Sequence, residues 1–198
     1  MIGEIRFTAS VLLCIALTAC NMAPVIKQQP DFDGIFEFRI DKTSMKELEL
    51  MNYKYRELTE ENDIEKKNDE LSTLPISDFY TLCPGVREIR VGDFSKNDIN
   101  YSTISLTFYH DTLIHFECLV SYGLQDVLTT KYPNYTRIQA DKQTIFKWYN
   151  HSTVATLFDD DKFNAITFTI EDEPASSSIY KLAARKRNEY LKNANRNL

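Results

Sequence analysis

His115 and Glu117 sit two residues apart in "LIHFECLV" and have the side-chain types that move protons or hold metals. Alternation along a strand would put both on the outer face of a hairpin, across from Thr107 and Ser105, although an ordinary polar sheet face produces the same pattern. His110 and His151 fall in expected turns, where a solvated ring is the default. Asp159, Asp160 and Asp161 could offer oxygens to calcium, but the run lacks the glycine and the closing glutamate of an EF-hand loop and reads as an acidic turn. "FKWYN", residues 146–150, puts Trp148 and Phe146 on one strand face and Tyr149 on the other. An exposed Trp148 and Tyr149 could stack on a sugar or clamp a peptide; core packing of Trp148 is the preferred reading. The five glycines are not spaced for a phosphate-cradling loop or a dinucleotide fingerprint. Beyond the N-terminal run there is no C-x-x-C, H-E-x-x-H or G-x-S-x-G. No catalytic residue, metal ligand or cofactor is therefore assigned.

Several elements must position these side chains. "GIFEFRI", residues 34–40, alternates as a half-buried strand. "SMKE" is a capping box at Ser44 and Glu47, and Met45, Leu48, Met51, Tyr55 and Leu58 then predict a helix with one apolar face. Residues 59–70 are a charged, solvated stretch, and turns at Pro75 and "CPG" precede a strand in "VREIRVGDF". Residues 102–121 form a hairpin whose inward residues are Ile104, Leu106 and Phe108 on one arm and Ile114, Phe116 and Cys118 on the other. A three-residue loop, His110 to Thr112, pairs Phe108 with Ile114 and Leu106 with Phe116. A two-residue loop would instead oppose Leu106 to His115, so the longer loop is preferred. A short helix over 122–132, strands at 144–150, 153–158 and 163–170, and a basic helix over 179–198 complete the chain. The expectation is an α+β fold, antiparallel sheet with helices packed on one face, in two helix-plus-three-strand units.

The N-terminus carries a different signal. Residues 7–17, "FTASVLLCIAL", are apolar and uncharged, too short to span a bilayer as a helix but the right length for a secretory signal. Leu17-Thr18-Ala19-Cys20 follows. This resembles the lipobox of bacterial lipoproteins, and the resemblance implies a signal peptide over 1–19 and diacylglycerol on the Cys20 thiol. It further implies cleavage before Cys20 and acylation, of the palmitate class, of the new amino group. Two or three acyl chains anchor stably where one does not. Asn21 stands where that family often has an inner-membrane-retaining aspartate, so outer-membrane residence is favoured. Residues 20–31, with Pro24 and Pro30, read as a lipidated tether, leaving 32–198 as the globular part, with halves 32–121 and 122–198. The helix-plus-meander order also resembles small envelope lipoproteins of the SmpA/OmlA type, a likeness of pattern that transfers no functional residue.

Composition narrows the function. Hydrophobic residues at 43% and aromatics at 12% suffice for a packed core. A net charge of −6 repels phosphate backbones, so no nucleic-acid partner is expected. Cys83 and Cys118 are the only cysteines beyond the lipobox. In an oxidising compartment they could form a disulfide, or remain two buried thiols. The basic C-terminal helix could rest on anionic lipid or simply be solvated. The sequence thus reads as a lipid-anchored envelope protein, more binding or structural than enzymatic, with envelope proteins or glycans as partners. The alternative is an enzyme or inhibitor acting on envelope sugars or peptides.

Overall fold

Alternating apolar and polar residues build one long antiparallel sheet, flanked by helices. The computed structural model describes residues 32–58, 76–160 and 165–194, all of them in one compact unit, Asp31–Leu198. Strands β1 (Gly34–Ile35) and β2 (Phe38–Arg39) make a small hairpin, followed by α1 (Met45–Leu50) and β3 (Tyr55–Leu58). A 3-10 helix (Ile76–Leu82) leads into β4 (Val86–Val91), β5 (Phe94–Lys96), β6 (Ile99–Tyr109) and β7 (Thr112–Val120). Helix α2 (Leu124–Lys131) then precedes β8 (Thr136–Ala140), β9 (Gln143–Asn150), β10 (Thr153–Asp160), β11 (Ala165–Asp172) and α3 (Glu173–Ala194). Across the nine-stranded sheet the order is β3-β4-β6-β7-β11-β10-β9-β8, with β5 also on β6. The fold is α+β and its sheet antiparallel. The meander β8 to β11 folds back so that β11 lies beside β7, pairing Ile170 with Phe116 and Glu171 with His115.

Three local expectations are corrected. Residues 34–40 do not run as one strand, because Phe36 adopts φ 55° and turns the chain. Gly34 permits that tight hairpin, since a Cβ there would stand 2.1 Å from the Phe38 carbonyl oxygen. The capping box at Ser44 and Glu47 forms, but the helix stops at Leu50, and Asn52 at φ 57° redirects the chain into β3. The central hairpin closes on a two-residue turn, His110 and Asp111, at φ 47° and 70°. Positive φ at both positions is the turn geometry that matches strand twist. Leu106 still faces Phe116, because Ile114 is an extra residue between the Phe108–Leu113 and Thr107–His115 pairs. This bulge restores the register that the shorter turn would have shifted. Strand β8 and the two-residue extension of β11 to Asp172 were not expected, and both matter below.

Two apolar clusters hold the fold, and strand alternation puts them on opposite sides of the sheet. The larger gathers Ile89, Ile104, Leu106, Phe108, Phe116, Cys118, Phe168 and Ile170 with Phe38 and Trp148. Met45 and Leu48 of α1 and Leu124 and Leu128 of α2 belong to it. The smaller joins Phe79 and Cys83 to Val86, Ile114, Ile179 and Ala183. Ile114 reaches that second cluster because a bulge lets two consecutive residues share one face. Helices therefore contribute to both clusters. Asp172 accepts a hydrogen bond from the Ala175 amide at 2.7 Å and so caps the start of α3.

Candidate functional site

On the sheet face opposite Phe116 and Cys118, β7 presents His115, Glu117 and Leu119. His115 is flanked by Thr107 on β6 and Glu171 on β11, and Glu117 by Ser105 and Thr169. One carboxylate stands at each ring nitrogen: Nε2 lies 3.5 Å from Glu117 and Nδ1 3.5 Å from Glu171. A neutral imidazole has one donor and one acceptor nitrogen, so only the imidazolium satisfies both neighbours. Burial by itself would lower the His115 pKa. Hydrogen bonding to Glu117 and Glu171, with both charges, outweighs that and raises it to about 9. His115 in turn holds both carboxyls below their usual range against the opposing effect of burial, helped by Arg90 at Glu117 and by Ser176 and Lys147 at Glu171. Tyr80 of the 3-10 helix borders the group, its pKa pushed up to about 12 by burial and then by the charges of Glu171 and Glu88. The imidazolium can donate a proton at neutral pH but has no free nitrogen with which to accept one.

The sequence placed His115 and Glu117 together and matched them to Thr107 and Ser105, but it missed Glu171. Its signal was present: with Ile166, Phe168 and Ile170 inward, Thr167, Thr169 and Glu171 continue the outward alternation. The acidic residues after Ile170 interrupt the apolar period and hide the strand's continuation to Asp172.

Beside this charged group the same face changes character. A row crosses five strands through paired residues: Leu119, Thr167, Phe158, Ile145 and Ile138. Leu119 is 38% and Ile138 43% exposed, and Phe158 and Ile145 are half-buried. The adjoining row is polar, running from Glu117 through Thr169, Thr156 and Lys147 to Thr136. Tyr149, 62% exposed, lies at the far end of the row that begins with His115. The sheet thus offers an apolar strip bordered by hydroxyls, with charge at one side.

The remaining candidates separate. Trp148 is buried with its indole N–H donating to the Tyr132 carbonyl at 2.8 Å, so it faces the core and Tyr149 faces solvent. Cys83 and Cys118 are free, buried thiols belonging to different clusters. The sheet stands between them and they form no disulfide, which corrects that option. Burial pushes both thiol pKa values up and keeps them unreactive. Asp159 and Asp160 end β10 instead of forming a turn, and Asp160 accepts from Gln143 at 3.0 Å. Asp161 and Cys20 lie outside the described residues. Among the described residues no group of three His, Cys, Asp or Glu side chains could hold a metal ion.

An open cleft of about 260 Å³ lies elsewhere, lined by Glu37, Arg39, Lys42, Glu47, Leu50 and others. Its carboxylates are committed: Glu37 accepts from Tyr53 and Lys96, and Glu47 closes the cap of α1. On α3, Lys181, Arg185 and Lys192 are exposed on the side away from the buried Ile179 and Ala183. No helix among the described residues is long and apolar enough to cross a membrane. No protein-family model matches the chain, and neither a curated protein nor a solved structure is detectably similar to it.

Proposed function

We propose that this is a lipoprotein of the bacterial envelope, anchored through acyl chains on Cys20, favouring the outer membrane, and that it works by binding. The observation that carries the binding reading is the strip of Leu119, Phe158, Ile145 and Ile138, which holds apolar side chains against solvent beside a row that includes Thr169, Thr156 and Thr136. Exposed apolar strips on otherwise polar surfaces are favourable to bury against a partner. An envelope protein or a glycan fits the mixture of apolar contact, hydroxyls and an exposed tyrosine. The net charge of −6 argues against nucleic acid. The tether 20–31 would hold the domain, residues 32–198, close to the bilayer. Within it we read two halves, 32–121 and 122–198, each a helix with a meander, joined along β7 and β11.

The test is photo-crosslinking in intact cells from position 149, with the lipidated chain. A discrete adduct that disappears in a Leu119→Asp, Ile138→Asp variant of unchanged fold supports binding on this face. An adduct pattern indifferent to that variant rejects it. A second reading, an enzyme or inhibitor acting on envelope sugars or peptides, draws on His115 held between Glu117 and Glu171. There the imidazolium would serve as a general acid. His115→Gln would then abolish turnover or inhibition without abolishing the adduct.

A further inference from the structure

The two edges of the sheet are defended differently. At β3, Arg56 and Glu57 occupy the strand, and Glu57 is clamped by the Arg87 guanidinium through contacts of 2.7 and 2.8 Å. Charge along an edge is a common way to discourage a foreign strand. At the other edge β8 reads Thr136-Arg137-Ile138-Gln139-Ala140, with every residue exposed and no proline, lysine or acid. Its one cation, Arg137, is drawn over the Phe146 ring at 5.7 Å. No described strand pairs with its outer side.

Backbone geometry shows what that edge offers. A two-residue turn, Asp141 and Lys142, joins β8 to β9, and Ala140 faces Gln143 across it. The pair closing such a turn exchanges both backbone hydrogen bonds. By alternation Ala140, Ile138 and Thr136 direct their amides and carbonyls to β9. Arg137 and Gln139 direct theirs outward, unclaimed by any described strand.

We propose that β8 pairs antiparallel with β8 of a second copy of this chain, about a two-fold axis at Ile138. The strand is complementary to itself in that register. Ile138 meets Ile138 of the second copy on the face that carries the apolar strip. Arg137 meets Gln139 of the second copy, and the outward amides and carbonyls of these two residues supply four hydrogen bonds. The same side-chain pair already meets within one strand, where Arg137 lies 3.4 Å from the Gln139 side-chain oxygen. Thr136 meets Ala140, so no two like charges are opposed. The strip from Leu119 to Ile138 then continues without a break into its symmetry mate, doubling the length presented to any third molecule. The pairing does not depend on the identity of that molecule, or on there being one.

Residues facing each other outside the hydrogen-bonded pairs of antiparallel strands lie close enough for a disulfide, with Cα atoms about 4.5 Å apart. The test is therefore oxidative crosslinking of the full-length chain in its own membranes, read on non-reducing gels. Ile138→Cys is expected to give a disulfide-linked dimer. Thr136→Cys alone is expected to give none, but to crosslink when mixed with Ala140→Cys chains. Adding Gln139→Pro, which removes one outward N–H and leaves the β9 ladder intact, should lower the Ile138→Cys dimer at least tenfold. Equal crosslinking at 136 and 138, no dimer at 138, an undiminished dimer with Gln139→Pro, or an adduct to a chain of different mass would each overturn the proposal.

Discussion

The pKa of His115 is raised to about 9 against 6.5 in an unfolded chain. A group whose folded pKa is raised contributes stability that is complete below its unfolded pKa and lost as pH rises through the folded one. The pairing of His115 with Glu117 and Glu171 therefore contributes fully up to about pH 6.5 and fades towards pH 9. The two carboxyls shift downward, so their share is present above about 4.5 and is lost as pH falls below that. Glu117 is 51% and Glu171 34% exposed, and solvent screening reduces the whole contribution to about 1–2 kcal/mol. His115→Gln should thus destabilise at pH 6 and cost little at pH 9.5, by urea unfolding at both. An equal cost at both pH values would show that the ring acts by packing alone. Phe116, on the other face of the same strand, is fully buried between Phe38 and Phe168. Phe116→Ala should cost about 3–5 kcal/mol at every pH, through lost burial and the cavity left behind.

Among the elements, α3 is held by the smaller of the two apolar clusters. Its buried residues Ile179 and Ala183 meet Phe79 and Cys83 at the 3-10 helix and Val86 and the bulge residue Ile114 on the sheet. The outer surface of α3 is largely polar and cationic, so its apolar docking comes from this one cluster, which Ala175, Leu182 and Tyr190 also join from the helix. Ile179→Ala should cost about 2–4 kcal/mol. It should raise amide exchange in α3 and the 3-10 helix well before it affects β6 and β7, because the larger cluster does not include Ile179. Hydrogen exchange read by mass spectrometry separates this from global unfolding. Uniform acceleration across all strands would mean that the two clusters unfold as one.

For the whole molecule the decisive residue is Cys20. If Cys20 carries the acyl chains, wild-type protein partitions into detergent, while Cys20→Ala stays aqueous with its leader uncut. Mass spectrometry finding an unmodified Cys20 in native membranes would remove the anchor. If Cys20 does carry them, residues 32–194 set what is presented at the bilayer. A single sheet from β3 to β8, clad by separate apolar clusters on its two faces, keeps the polar and apolar rows of the open face in fixed order. A second copy across β8 would extend those rows without altering either domain.

Local chemistry in the sequence was enough for the α+β class, the Ser44 cap, the central hairpin and the pairing of His115 and Glu117 with Thr107 and Ser105. Each rests on alternation or capping within a few residues, which a chain reads out before it folds. Strand β8 escaped because all five of its residues are exposed, so no alternation marks it. The turn at His110 and Asp111 is shorter than the expected loop because a bulge at Ile114 compensates for it, and a bulge leaves no periodic trace. Glu171 reached His115 only because β11 pairs with β7, some 50 residues away in the chain. The separation of Cys83 from Cys118 was decided in the same way, whereas the core position of Trp148 is the one preferred from the sequence. Side-chain period tells a strand which face is wet, but which strand lies beside it is a choice made by burying the whole sheet at once, and both the charged group and the apolar strip exist only across that choice.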